Sequence, residues 1–112
     1  MSRFRSGNPD ANQAAIINLY RRCGWSVVIT SQVGGGFTDL VVAKHGDDTL
    51  VEIKYKKGKL RQSQINFCLG WQGKPIALIR TEQEALQHIQ TGVYPKLRDF
   101  IKNEQINKKK GK

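Results

Sequence analysis

The chain reads as one α/β domain, a mixed central sheet flanked by helices, and three observations point there. Its 112 residues are about one domain's length, enough to enclose a core without disulfide or metal staples. Hydrophobic residues make up 38% and charged residues 25%, with 11 Gly and 3 Pro, which is a globular balance and excludes collagen, mucin and wholesale disorder. Helical and strand-like segments follow one another in the order α β β β α β α, the pattern of helices packed on the faces of a sheet.

Each element has a local reason. Asn8-Pro9-Asp10 starts the first helix, with Asn8 as N-cap, Pro9 where its missing N–H costs nothing, and Asp10 facing the positive end of the helix dipole. Ile16, Leu19, Tyr20 and Cys23 share its apolar face, and Gly24 stops it. Trp25 to Thr30 is β-branched and aromatic, hence a strand, broken by Gly34-Gly35-Gly36. Asp39 to Lys44 and Thr49 to Tyr55 are two more strands, joined by a hairpin loop over His45-Gly46-Asp47-Asp48. Leu60 to Leu69 is the second helix, with Leu60, Gln64, Phe67 and Trp71 at helical spacing; Phe67 and Trp71 are read as core. Ile76 to Ile79 is a short apolar strand. Thr81 to Glu84 is a capping box, and Ala85, Leu86 and Ile89 form the buried stripe of a helix ended by Gly92. Pro95 to Ile106 has a helical apolar face in Leu97, Phe100 and Ile101, and the last six residues are expected to be disordered.

Charge narrows the partner. Nineteen Lys and Arg against nine Asp and Glu leave +10, divided equally between residues 1–92 and a basic C-terminal extension over 93–112. A body this small and this basic points to a polyanion, with nucleic acid first. No apolar run approaches the length of a membrane span and the N-terminus has no apolar signal region, so a cytoplasmic protein without membrane attachment is expected. Cys23 and Cys68 are too few for a zinc site and read as small core residues, while His45 and His88 read as surface residues.

The chemistry concentrates between Gly34 and Gln64. In Val51-Glu52-Ile53-Lys54-Tyr55, strand alternation puts Glu52 and Lys54 on one face and Val51, Ile53 and Tyr55 on the other. Asp39 begins the preceding strand after three glycines, and antiparallel pairing brings it toward Glu52. Two hard carboxylates in a basic protein suit a Mg²⁺ site for phosphodiester chemistry, with Lys54 orienting water and offsetting charge. Lys54, Lys56, Lys57, Lys59 and Arg61, five basic residues in eight positions, would grip phosphates, and the glycines would let a nucleic-acid backbone approach. Against this stands the ordinary reading of Glu-x-Lys as a solvated ion pair on a strand.

Asp39 followed by Glu52-Ile53-Lys54 resembles the D…(D/E)-x-K signature of the PD-(D/E)XK nuclease superfamily, over a segment from about Asp10 to Ile89. The nearer likeness is to small VRR-NUC-type nucleases of phages and bacteria, the more distant one to archaeal Holliday junction resolvases. The resemblance implies a restriction-endonuclease-like core (α β β β α β) as a nuclease-like domain over residues 1–92. It implies Asp39, Glu52 and the main-chain carbonyl of Ile53 as metal ligands, Lys54 as the catalytic lysine and Gln64 as the glutamine of the following helix. Gln13 falls where many relatives carry a first-helix Glu and lacks its charge; Asp10, one turn earlier, either replaces it or serves only the helix dipole. Mg²⁺, with Mn²⁺ as alternative, would be the cofactor, branched or structured DNA the substrate, and a homodimer the assembly. The competing expectations are a non-catalytic nucleic-acid-binding module that keeps the fold, and a basic protein that binds a host partner.

Overall fold

The structure, a computed structural model, describes residues 9–110, and side chains through Lys108. Helix α1 (Pro9–Arg22) leads into strands β1 (Ser26–Ile29), β2 (Leu40–Lys44) and β3 (Asp47–Ile53). Helix α2 (Gln62–Gly70), strand β4 (Ala77–Ile79), helix α3 (Glu82–Thr91) and helix α4 (Leu97–Lys110) follow. The expected α/β class holds, as does the element order. Asn8, the expected N-cap, lies outside the described residues.

The sheet runs β1-β2-β3-β4, antiparallel for the first two pairs and parallel between β3 and β4. A tight turn makes the antiparallel hairpin: His45 and Gly46 have φ of 53° and 82°, the left-handed angles that match the twist of the strands they join. The loop is therefore shorter than expected, because Asp47 and Asp48 already pair with Lys44 and Ala43. A parallel pair needs a crossover, and α2 supplies it between β3 and β4.

Side-chain alternation divides the core in two. Val51, Ala77 and Ile79 face α1 and α3, where Ile16, Ile17, Tyr20 and Ala85 close over them. Leu50 and Leu78 face α2 and α4, packing with Ile65, Cys68, Leu97 and Ile101. Glu52 has the parity of Leu50 and so belongs to the second face.

Several local expectations need correction. His88 is not a surface residue: it is 1% exposed, its Nδ1 lies 2.8 Å from the Tyr20 hydroxyl, and its ring packs against Trp25 and Tyr94. Thr81 caps α3 through the Glu84 N–H, but the Glu84 carboxylate reaches past Thr81 to the N–H and guanidinium of Arg80, so the capping box is not reciprocal. Trp71 is 39% exposed, its indole lying between Phe67 and the backbone of Gly73.

The segment from Val93 takes part in the packing. Leu78 N–H donates to the Pro95 carbonyl, Leu97 N–H donates to that of Ile76, and Tyr94, Leu97 and Ile101 are buried. Of residues 107–112, expected to be disordered, 107–110 continue α4 and 111–112 lie outside the described residues. Among the described residues no helix is long and apolar enough to cross a membrane.

Burial, and then the charge of Lys74, lower the His88 pKa to about 4. In the unfolded chain a histidine takes up its proton near pH ~6.5, so between that pH and about 4 the unfolded state binds the extra proton and stability falls as pH drops. The urea midpoint of the wild type should decline across this window more steeply than that of His88→Gln. Equal slopes would show that the imidazole is already charged in the fold.

Candidate active site

The hairpin register builds the site. Leu40 pairs with Val51, which sets Asp39 opposite the end of β3, where its N–H donates to the Val51 carbonyl at 3.1 Å. Its carboxylate Oδ2 accepts the Ile53 N–H at 2.8 Å, and its own carbonyl accepts the Thr30 N–H at 2.8 Å. Main chain thus holds Asp39 on three sides. Glu52, 4% exposed, hydrogen-bonds to Asp39 through its carboxyl and accepts the Gln64 amide at 2.7 Å on Oε2.

Gln64 is fixed from its other end. Its Oε1 accepts the Arg61 N–H at 2.7 Å, satisfying one of the free donors at the start of α2. The side chain therefore ties the helix entry to Glu52 and lies beside the carboxyl pair.

Burial sets the electrostatics. It pushes the Glu52 pKa up to about 8, helped by the neighbouring Asp39 charge and by the hydrogen bond between them. Burial also raises Asp39, opposed by the Ile53 N–H, by Glu52 and by the charge of Arg61. Burial and the neighbouring carboxylate therefore act together to favour the protonated form of Glu52. The solvated ion-pair reading of Glu52 and Lys54 fails on both sides: Glu52 is buried, and the Lys54 ammonium donates to the Lys56 carbonyl at 2.8 Å and lies 5.3 Å from the centre of the Phe100 ring. Lys56 holds that carbonyl with a left-handed backbone, φ 52°.

A cleft of about 450 Å³ opens over the carboxyl pair, lined by Ile53, Lys54, Lys59, Arg61 and Gln64 and closed at one end by Pro9. Lys56 and Lys57 are exposed on the same loop. Gln13 is half-buried on α1 one turn after Pro9 and does not line the cleft, while Asp10 is exposed in the first turn.

The glycines divide in purpose. Gly36, at φ +82°, lies so close to α2 that a Cβ there would sit 2.1 Å from the Ser63 carbonyl oxygen. Its closeness clamps the loop before Asp39 onto the turn that carries Gln64. Gly34 and Gly35 face open space.

Phe100 packs against Lys54 and was not anticipated there. Helical spacing placed Phe100 on an apolar face, but only the docking of α4 brings it under Lys54. Among the described residues no group of three or more His, Cys, Asp or Glu gathers in a metal-holding cluster, so Asp39 and Glu52 are a two-carboxylate set. No protein-family model, curated protein or solved structure matches the chain.

Two outcomes follow from this geometry. Gly36→Ala should destabilise the protein by roughly 2–4 kcal/mol, combining left-handed strain with a backbone clash, whereas Gly35→Ala should cost only about 1–2 kcal/mol; urea titration separates them. For Glu52, the unfolded carboxyl loses its proton near 4.5 and the folded one near 8, so the fold binds more protons in between and stability falls as pH rises across that range. Glu52→Gln should remove this decline and raise the urea midpoint at pH ~8, and a variant weaker than wild type at that pH would contradict the raised pKa.

Proposed function

We propose that the chain is a metal-dependent endodeoxyribonuclease with a restriction-endonuclease-like core of the PD-(D/E)XK type. One observation carries the reading: in a protein of net charge +10, a buried carboxyl, Glu52, and a half-buried one, Asp39, meet at the end of a strand and line a cleft that Lys54, Lys59 and Arg61 also line. Bringing carboxylates together away from water costs free energy unless a proton or cation neutralises them. The hairpin followed by a helical crossover to a parallel strand supports the core assignment.

The donor set fits Mg²⁺. Asp39 and Glu52 offer hard oxygens, each steadied by a hydrogen bond from Ile53 or Gln64, and Ile53 lines the same cleft, its carbonyl being the third oxygen this reading calls for. Magnesium is commonly held by one or two carboxylates, with waters and phosphate oxygens completing its shell; Mn²⁺ accepts the same oxygens. Bound there, the cation supplies a more acidic water and neutralises phosphate charge.

The protein's own groups do the rest. Holding a cation would require Glu52 in its ionised form, so metal affinity should rise with pH toward about 8. Lys54 is seated by Lys56 and Phe100 at the cleft wall, where its ammonium orients water and offsets charge building on the phosphate oxygens. Lys56, Lys57, Lys59 and Arg61 bind the flanking phosphates. Preference for branched DNA and action as a homodimer belong to this same reading.

The test is incubation of the purified protein with linear, nicked, flapped and four-way DNA in Mg²⁺, Mn²⁺ or EDTA. Asp39→Ala and Glu52→Ala should lose cleavage and keep DNA affinity, because the phosphate-binding residues stay. Lys54→Ala should lose about a hundredfold or more in rate while calorimetric Mn²⁺ binding persists. Activity in Mg²⁺ should rise toward pH 8 and vanish in EDTA. Full cleavage by either carboxylate variant would refute the site.

A further inference from the structure

A second groove, of about 350 Å³, lies between the loop after β3 and helix α4. Lys54, Gly58, Lys59 and Leu60 line both this groove and the carboxylate cleft, so the two adjoin. Leu60, Ile65, Phe100 and Ile101 give it an apolar floor. Lys57, Lys59 and Lys108 rim it, and Glu104 and Gln105 stand on the α4 wall. Residues 101, 104, 105 and 108 recur at helical spacing, so one face of α4 forms that wall.

The mixture of surfaces selects the ligand. Phosphates alone need no apolar floor, and Glu104 would repel one placed beside it. A duplex keeps the faces of its bases covered by stacking. A nucleotide outside the stack has both properties the groove asks for: a flat base that packs on apolar or aromatic side chains, and anionic phosphates on either side. Glu104 accepts from the exocyclic amine of a base, and the Gln105 amide both donates and accepts.

We propose that this groove is a subsite for one unpaired nucleotide of the DNA, its base on the Leu60–Phe100 floor and its phosphates on Lys57, Lys59 and Lys108. The inference rests on the nuclease reading for its placement next to the cleaved bond. It defines the substrate as DNA with a base free of the duplex beside the cut, such as an overhang, gap or flap.

The experiment is fluorescence anisotropy of the full chain in EDTA with short duplexes that are blunt, carry a single-nucleotide 3′ or 5′ overhang, or carry the same overhang without its base. One base-bearing overhang should tighten binding by about tenfold over the blunt duplex, and the abasic overhang should lose most of that gain. Gln105→Trp fills the groove from an exposed position and should abolish the gain with blunt-duplex affinity unchanged; Leu60→Ala should reduce it. Thermal melting establishes that both variants are folded. Equal binding of abasic and base-bearing overhangs, retention of the gain by Gln105→Trp, or displacement of the overhang DNA by polyglutamate as readily as by an oligonucleotide would each overturn the subsite. Because no metal enters this assay, base-dependent binding without cleavage in Mg²⁺ sinks only the nuclease reading. Cleavage without base dependence sinks only the groove.

Discussion

His45 and Gly46 close the central hairpin in left-handed backbone angles, and the register they impose runs unbroken from Lys44 opposite Asp47 to Leu40 opposite Val51. Asp39 stands one step beyond that last pair, which is why its carboxylate reaches the Ile53 N–H and meets Glu52. Strand periodicity makes the placement strict, because a slip of one residue would turn Glu52 into the face packed by Val51 and Ile53 against α1 and α3. The hairpin thus sets both the division of the core and the position of its most polar pair.

Two contacts secure the far side of the carboxyls. Gly36 lets the loop before Asp39 press on the backbone of Ser63, and Gln64 bridges the entry of α2 to Glu52. Helix α4 completes the wall, holding Leu97 and Ile101 in the core and presenting Phe100 to Lys54. The basic C-terminal segment therefore begins as a packing element.

Burial acts on stability from both ends of the pH scale. His88 keeps its ring neutral inside the α1–α3 face and opposes acidification, while Glu52, its pKa raised, opposes alkaline pH. Only the second cost can be offset by a ligand, since a cation bound to the folded state stabilises it by mass action. His88 is held with Tyr20 among aromatic rings and serves the fold, whereas Glu52 is the group on which the proposed cation site rests.

Much of the fold was legible because it is written in local chemistry. Pro9, the alternation of Val51 to Lys54, the β-branched runs and Gly92 each act through neighbours in the chain, so the elements and their order followed from the residues themselves. The facing of Asp39 and Glu52 was legible too, since a hairpin with a short loop has few registers. Other features depended on residues far apart in sequence. His88 is buried because Tyr20, 68 residues away, supplies its hydrogen bond. Gly36 is indispensable because Ser63 comes to it. Glu52 has its pKa raised because packing removes its water, and Lys54 lies over Phe100 because α4 docks there. Sequence by itself determined which groups share a strand face and which carry charge; only the tertiary structure decided which of them lose solvent, because desolvation is a property of the packed layers and not of the neighbouring residues.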